Sequence, residues 1–364
     1  MNLAAAVNEN LAHYSNVLIY TAMAVYTLAF LAHIAEWVFG SRSAVGRTAA
    51  AITTETAAAN RASATVRTAE KGGGTAVLER PKVITRAAAG SRDVPDGPGA
   101  SGGTEQGDVY GRIAVGLTVL AFLTHAGGVL TRALSVERAP WGNMYEFSTT
   151  FGMVAVATYL VLLALKKNVR WIGLPLVTTV LLDLGLAVSV LYTDSDQLVP
   201  ALHSYWLWIH VSCAIISGAA LYMGAVSTLL YLFRDRYEAQ LENPESKQFR
   251  QGVKSVLARV PSAASLDKFA YRINATVFPL WTFTIIAGAI WAEAAWGRYW
   301  GWDPKEVWSF ITWVAYACYL HARATAGWKG RAAAIIALIG LATLWFNFIG
   351  INFFFGSGSM HSYA

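Results

Sequence analysis

Long apolar segments alternate with shorter polar ones along most of this chain. Eight of the apolar runs come close to the roughly 20 residues that a helix needs to cross a bilayer. In chain order they are Val17–Phe39, Gly111–Leu134, Phe147–Leu165, Trp171–Tyr192, Trp206–Phe233, Ala275–Ala295, Val307–His321 and Ala332–Phe355. The seventh is short and is expected to continue into the polar residues at its ends. The pattern predicts an all-α polytopic integral membrane protein with about eight transmembrane helices.

Composition supports this class of protein. Of the 364 residues, 55% are hydrophobic and 14% are charged, whereas a soluble domain carries about 25% charged residues. The two cysteines, Cys213 and Cys318, lie in apolar runs, which argues against a disulfide framework. The chain has no Cys-x-x-Cys-His, so it is not itself a c-type cytochrome. A net charge of +6 would suggest nucleic acid in a soluble protein, but here loop charges account for it and we expect no nucleic-acid partner.

Lysine and arginine are distributed unequally between the two sets of loops. Segments on one side of the predicted membrane hold 23 of the 28 Lys and Arg residues, and those on the other side hold only Arg138, Arg298 and Lys305. Positively charged loops stay in the cytoplasm. Both termini and the loop Trp296–Glu306 are therefore predicted to be extracytoplasmic, with residues 1–40 containing the first transmembrane helix.

Two longer segments are predicted to lie in the cytoplasm. Residues 41–109 are rich in Ala, Thr and Gly and predict a flexible linker with no identifiable chemistry. The segment Arg234–Asn274 is charged and contains Pro244 and Pro261. It predicts a solvated region with short helices on the membrane surface.

A tryptophan-rich loop at residues 291–308 is the most informative stretch of the chain. Five of its 18 residues are tryptophan: Trp291, Trp296, Trp300, Trp302 and Trp308. Because tryptophan favours membrane interfaces, an interfacial aromatic belt is one interpretation. The concentration of indoles in a single outward loop, with Gly297 and Gly301 to allow tight turns, favours a platform for a large, flat, apolar ligand.

The charged residues of this loop have more than one interpretation. Asp303 and Glu306 flank Pro304 in the pattern of a helix capping box, and this structural role is favoured over an acid–base role. Arg298 and Lys305 are rare outward cations. Either they neutralise carboxylates of a ligand or they simply face water.

The loop carries a strong family resemblance. Trp296-Gly-Arg-Tyr-Trp-Gly-Trp-Asp-Pro-Lys-Glu-Val-Trp308 resembles the WWD signature of heme-handling cytochrome c biogenesis proteins, and most of all the CcsA/ResC branch, named CcsB in some bacteria. Further matches are Pro140–Ser148, Leu207–Ser212, Tyr319–Arg323 and the terminal Gly350–Tyr363. The resemblance covers residues 110–364 and the first span, so residues 110–364 are expected to form a heme-handling membrane domain. The linker departs from the family pattern.

Histidine is the residue that would bind heme iron. From the residues alone, a histidine in a span is either an axial ligand or a packing residue. His33 and His125 fall outside the ligand motifs of the family and are expected to pack or to form local hydrogen bonds. His203 precedes a Ser-Tyr pair, as His361 does, but the resemblance places the ligand seven residues later, at His210.

The resemblance implies two heme stations. His210 and His361 would ligate the iron at an outer site, with Trp296, Trp300, Trp302, Asp303 and Trp308 of the loop around the heme. His321 would ligate iron at an inner site, where a ResB-type partner supplies the second ligand. Because 13 residues separate Trp308 from His321, about 20 Å along a helix, one heme cannot occupy both stations.

The function implied is System II cytochrome c maturation. The chain would carry heme b across the plasma membrane and present it at the outer face, where the two thiols of an apocytochrome c Cys-x-x-Cys-His motif form thioethers. Holocytochrome c synthase activity is expected only in complex with the ResB-type partner, and a thioredoxin-like protein would keep the thiols reduced. Two alternatives remain open: a heme exporter or chaperone without synthase activity, and a membrane b-type cytochrome.

Overall fold

The structure is a computed structural model that describes residues 7–39, 109–167, 169–197, 203–243, 249–258, 260–355 and 359–361. Regular structure within those ranges is entirely helical. Nearly all of the linker predicted at residues 41–109 lies outside the described residues, which resume at Val109.

Long helices account for most of the described chain. In chain order they are α1 (Glu9–Phe39), α2 (Val109–Ser135), α3 (Met144–Ala164), α4 (Gly173–Ser189), α5 (Tyr205–Glu242), α6 (Gln251–Leu257), α7 (Ala263–Trp296), α8 (Pro304–Ala324), α9 (Arg331–Trp345) and α10 (Ile351–Phe355). A 3₁₀ turn, Arg170–Ile172, leads into α4. A π-helical segment, Phe346–Gly350, joins α9 to α10.

Seven helical stretches in the described part of the chain are long and apolar enough to cross a membrane. They are α1 to α5, α7, and the continuous stretch of α9, the π-helical segment and α10. Helix α8 has 21 residues and extends beyond the predicted Val307–His321 at both ends, but it is not among the seven. The chain is therefore a multi-pass membrane protein, while the count of eight spans and the outward termini stay predictions.

The helices pack in two groups. In the first, α1 lies along α2, and α4 packs against α1 and α3. In the second, α5 lies along α7, α8 lies along α9, and α9 also packs against α5. Helix α3 contacts α5 and so joins the groups. Small residues at the contacts let the backbones approach closely, as at Gly128, whose Cα faces the side chain of Ile19.

The segment Arg234–Asn274 differs from its prediction as a solvated region. Helix α5 continues to Glu242, and α7 begins at Ala263, so among the described residues between them α6 is the one separate short helix. Arg234 and Glu238 are buried and form an ion pair with 2.8 Å between Nε and Oε1. Arg234 also donates to the carbonyl oxygen of Leu257. The charge of the segment suggested exposure to solvent, but charged residues that pair with one another can be buried near a helix end.

Candidate functional site

An aromatic cavity is enclosed by α3, α5 and α7, by the loop that follows α7, and by the end of α9 with the π-helical segment. Its lining includes both His210 and His361, which the resemblance implies as outer ligands. The aromatic lining residues are Trp141, Phe147, Phe151, Tyr222, Trp281, Trp291, Tyr299, Trp300, Trp345 and Phe348. Trp141 and Phe147 belong to the Pro140–Ser148 element, so that match could have indicated a cavity wall. For Trp281, Trp345 and Phe348, the neighbouring sequence offers nothing that distinguishes a cavity residue from any other apolar residue of a span.

His210 belongs to α5, and its imidazole faces α7. Its Nδ1 is 2.9 Å from the carbonyl oxygen of Thr284, so Nδ1 carries the proton and donates it. Gly288 makes this position possible, because a Cβ there would lie only 2.7 Å from Cε1 of the imidazole. The bonded Nδ1 leaves the lone pair of a neutral imidazole on Nε2, which is the state that binds a metal.

His361 is held by the residue that begins α8. Its Nδ1 lies 3.0 Å from Oδ1 of Asp303. Ser359 Oγ donates to the same oxygen at 2.9 Å, and the backbone N–H of Met360 donates to Oδ2 at 2.7 Å. Asp303 therefore fastens the segment 359–361 to the loop and, like Thr284 at His210, leaves Nε2 as the ring nitrogen outside that hydrogen bond.

Trp291 contacts both histidines. The ring of His210 is nearly parallel to its indole, with centroids 6.0 Å apart, and that of His361 meets it edge-on at 5.7 Å. Trp296 adds an edge contact to His361 at 4.7 Å. The indole of Trp291 is 1% exposed, and its Nε1 is buried without a hydrogen bond among the described residues. The two imidazoles therefore belong to one aromatic cluster beside the cavity.

The loop after α7 folds around Glu306. Glu306 Oε2 accepts from the backbone N–H groups of Gly301 and Asp303, at 2.8 and 3.1 Å, and Oε1 pairs with Arg298 at 3.3 Å. Asp303 in turn accepts from the N–H of Lys305, so the predicted capping box is present. The guanidinium of Arg298 occupies the space where a Cβ on Gly301 would lie.

The other four tryptophans of the loop, Trp296, Trp300, Trp302 and Trp308, take different positions. Trp300 lines the cavity and Trp296 contacts His361. Trp308 packs on Phe346 of the π-helical segment with centroids 4.2 Å apart. Trp302 has a left-handed backbone conformation, with φ 58°, and its side chain is 72% exposed. The loop therefore supplies cavity wall, packing and an outward indole rather than one continuous platform.

Asp303 and Lys305 are two charged residues of the site whose pKa values are shifted. Burial would raise the pKa of Asp303, but hydrogen bonds from His361 and from the N–H of Met360 outweigh it and hold the pKa below its usual range. Burial lowers the pKa of Lys305 to about 8, against the opposing effect of the Asp303 carboxylate. Lys305 lines the cavity, whereas Arg298 pairs with Glu306. Of the two cations of the loop, Lys305 is therefore the one placed to meet a ligand in the cavity.

His321 lies apart from this cavity. It is near the end of α8, with an exposed side chain, and no hydrogen bond of its ring is found among the described residues. Arg323, two residues on, is held by Asp267 of α7 through two hydrogen bonds of 2.6 and 3.0 Å. The structure thus keeps His321 at the opposite end of α8 from Asp303 and leaves its imidazole accessible.

Comparisons with known proteins agree with the resemblance. A family model described as cytochrome C assembly protein matches residues 117–357. The chain belongs to the CcsA family of cytochrome c assembly proteins. It is 35% identical over 299 residues to the cytochrome c biogenesis protein CcsA of Synechococcus sp. (strain JA-3-3Ab), covering 70% of this chain and 84% of that protein.

Other CcsA relatives match to a similar extent. The protein of Trieres chinensis is 37% identical over 245 residues, covering 62% of this chain and 78% of the relative. That of Synechocystis sp. (strain ATCC 27184 / PCC 6803 / Kazusa) is 34% identical over 294 residues, covering 69% and 87%. A solved structure, the cytochrome c heme lyase CcmF, superposes with a TM-score of 0.49 at 14% identity. The match covers 93% of this chain and 46% of that one.

Proposed function

We propose that this CcsA-family protein acts in cytochrome c maturation by carrying heme across the membrane and holding it at the outer face. The observation that carries the proposal is the pair His210 and His361 at one aromatic cavity, each with Nδ1 hydrogen-bonded and Nε2 available. Two neutral imidazoles are a common axial pair for heme iron. The flat indole and phenyl faces of the lining suit a porphyrin.

In this proposal the protein contributes to the reaction by positioning heme and the apocytochrome thiols. Heme b would lie with its iron between His210 and His361, and a heme carboxylate would meet the ammonium of Lys305. The two thiols of an apocytochrome c Cys-x-x-Cys-His motif would then add to the vinyl groups of the heme, each S–H adding across one C=C bond. No nucleophile of this chain is needed, because holding the two reactants together supplies the rate advantage.

Partners complete the proposal. The exposed imidazole of His321 is the inner ligand, and a ResB-type membrane protein supplies the second one. A thioredoxin-like protein keeps the apocytochrome thiols reduced. The protein resides in the plasma membrane with the tryptophan loop outside, as the unequal loop charges favour.

Reconstitution tests this function against its two alternatives. The full chain is purified with and without a ResB-type partner, and each preparation receives heme, reductant and a Cys-x-x-Cys-His peptide. We expect heme bound with a bis-imidazole spectrum, and covalent heme-peptide product in the complex. Heme transfer without thioether formation in the complex would indicate an exporter or chaperone. Heme that exchanges electrons with quinol and never leaves the protein would indicate a b-type cytochrome.

A further inference from the structure

Helix α2 carries a polar residue on its buried face at every seventh position. Thr118, His125 and Arg132 are 0%, 0% and 3% exposed. Seven residues are about 10.5 Å along a helix, so the three side chains occupy an inner, a middle and an outer level of the same helical group. All three levels lie away from the aromatic cavity, whose lining contains no residue of α1, α2 or α4 among those described.

Side chains at the outer and inner levels find partners. At the outer level, Arg132 Nε lies 3.0 Å from Oε1 of Glu146, and Arg138 Nη1 lies 2.7 Å from Oε2. At the inner level, the two ring nitrogens of His33 lie 3.1 Å from Glu36 and 3.3 Å from Thr118. Pairing of this kind is what allows ionisable groups to be buried in a membrane protein.

The middle level is different. Ser148 Oγ donates to Oδ1 of Asp183 at 2.5 Å, but Oδ2 is buried without a hydrogen bond in the described part of the chain. His125 Nδ1 is 3.4 Å from the hydroxyl of Tyr26, and the ring has a further hydrogen-bond partner in the backbone of Thr149. Its Nε2 is likewise buried without a hydrogen bond to any described residue. A carboxylate and an imidazole thus each keep one unpaired polar atom inside the membrane, which is costly unless something joins them.

Gly152 of α3 lies between these two groups. A Cβ built on it would be 3.1 Å from Asp183 Oδ2 and 3.5 Å from His125 Cε1, so these two atoms are at most 6.6 Å apart. A single water that makes two hydrogen bonds spans about 5.5 Å. A water placed between the two groups would give each unpaired atom a partner, and the glycine adds no side chain to the space between them.

We propose that Asp183 and His125 form a hydrated, proton-binding pair in the membrane interior. The pair holds one mobile proton, either on the carboxyl group with a neutral imidazole, or on the imidazole with a carboxylate. In moving between these states the proton passes from Asp183 Oδ2 through the water to His125 Nε2, and the net charge of the pair stays zero. Among the described residues, Tyr26 on α1 is the other titratable side chain in contact with the pair. Helix α3 faces the pair with Ser148 and Gly152.

Infrared spectroscopy of the full-length protein in lipid nanodiscs tests this site. A protonated carboxyl group has a C=O stretching band separate from the amide bands, and hydrogen–deuterium exchange shifts it. We expect such a band in the parent, its loss in Asp183→Asn, and its retention in Asp194→Asn, which removes an exposed outer carboxylate. Absence of the band in the parent, or its persistence in Asp183→Asn, overturns the proposal.

Two further variants test the pairing while keeping Asp183. In His125→Gln the titration midpoint of the band should shift by about one to three pH units, since the partner charge within a few ångströms is lost. Gly152→Ala brings a methyl group within 3.1 Å of Asp183 Oδ2 and 3.5 Å of His125 Cε1, and it too should shift the midpoint. Both variants remain informative if Asp183→Asn does not fold. A midpoint unchanged in both would show that Asp183 titrates alone and would overturn the pair.

Discussion

The carboxylate of Asp303 lies 3.0 Å from Nδ1 of His361, across 58 residues of sequence. The same carboxylate accepts the N–H of Lys305 and so caps α8. One residue therefore fixes the start of a helix and the orientation of a proposed heme ligand. Groups that orient a metal-binding histidine through its second nitrogen typically change metal affinity 10–100-fold when removed.

Asp303→Asn separates the two roles of this residue. Asparagine caps helices as well as aspartate does, so α8 should keep its start and the protein its stability. The neutral amide holds the imidazole less firmly, and heme affinity at the outer site should fall by about 10–100-fold. Heme titration followed by absorption, alongside thermal unfolding of the heme-free protein, measures both effects. Equal heme affinity in parent and variant would refute an orienting role for Asp303.

Gly288→Ala tests whether the position of His210 matters. The added methyl group would meet Cε1 and Nδ1 of the imidazole at 2.7 and 2.8 Å, so the ring must leave the carbonyl oxygen of Thr284. We expect weaker heme binding and a loss of bis-imidazole character. Gly185→Ala is the matched control, because that helical glycine has no atom within 4 Å of its Cβ position. If both variants bind heme like the parent, the packing at Gly288 does not place the ligand.

Sequence patterns predicted the helical membrane fold because long apolar runs have few other structures available in a bilayer. They also indicated both outer histidines through the family resemblance. They could not indicate the contacts of Asp303 with residues 359–361, nor that of His210 with Thr284, since these join positions 56 to 74 residues apart. A local pattern encodes capping and burial, whereas the partner across the fold depends on how the helices pack.

The tryptophan loop shows the same limit in more detail. Its five indoles look equivalent in sequence, yet Trp291 is 1% exposed and Trp302 is 72% exposed. Trp291 lies within α7 and packs in the interior, whereas Trp302 lies in the turn around Glu306 with a left-handed backbone. The residue types therefore indicated an aromatic site. The folded structure is needed to tell which tryptophans are buried or line the cavity and which are exposed.

Replacing either outer histidine should remove one axial ligand. His210→Ala and His361→Ala are each expected to change the heme spectrum from six-coordinate to five-coordinate and to abolish maturation of a reporter cytochrome c. Added imidazole should partly restore the spectrum, because it can occupy the vacated position. His203→Ala is the matched control, because this histidine precedes α5 but does not line the cavity. Maturation at the parental level in both ligand variants would remove the pair from the mechanism.

The charge distribution predicts which side of the membrane each loop occupies. With 23 Lys and Arg residues on one side and three on the other, both termini should be extracytoplasmic. An enzyme reporter active only outside the cytoplasm should work when fused after Ala364 and fail when inserted within 87–103. The reverse result would put His361 on the wrong face for attachment of heme to an exported apocytochrome, and with it the outer site would be lost.

Two stations at opposite ends of α8 predict two separable defects. His321→Ala should reduce the amount of heme that reaches the outer site while leaving the spectrum of the remaining heme unchanged, because His210 and His361 are intact. Trp302→Ala should retain loading from the inside but weaken the retention of heme at the outer face, if the outward indole covers bound heme. Absorption spectra and heme quantitation on equal amounts of folded protein separate these outcomes. Normal heme content and normal maturation in His321→Ala would mean that this histidine lies off the heme route.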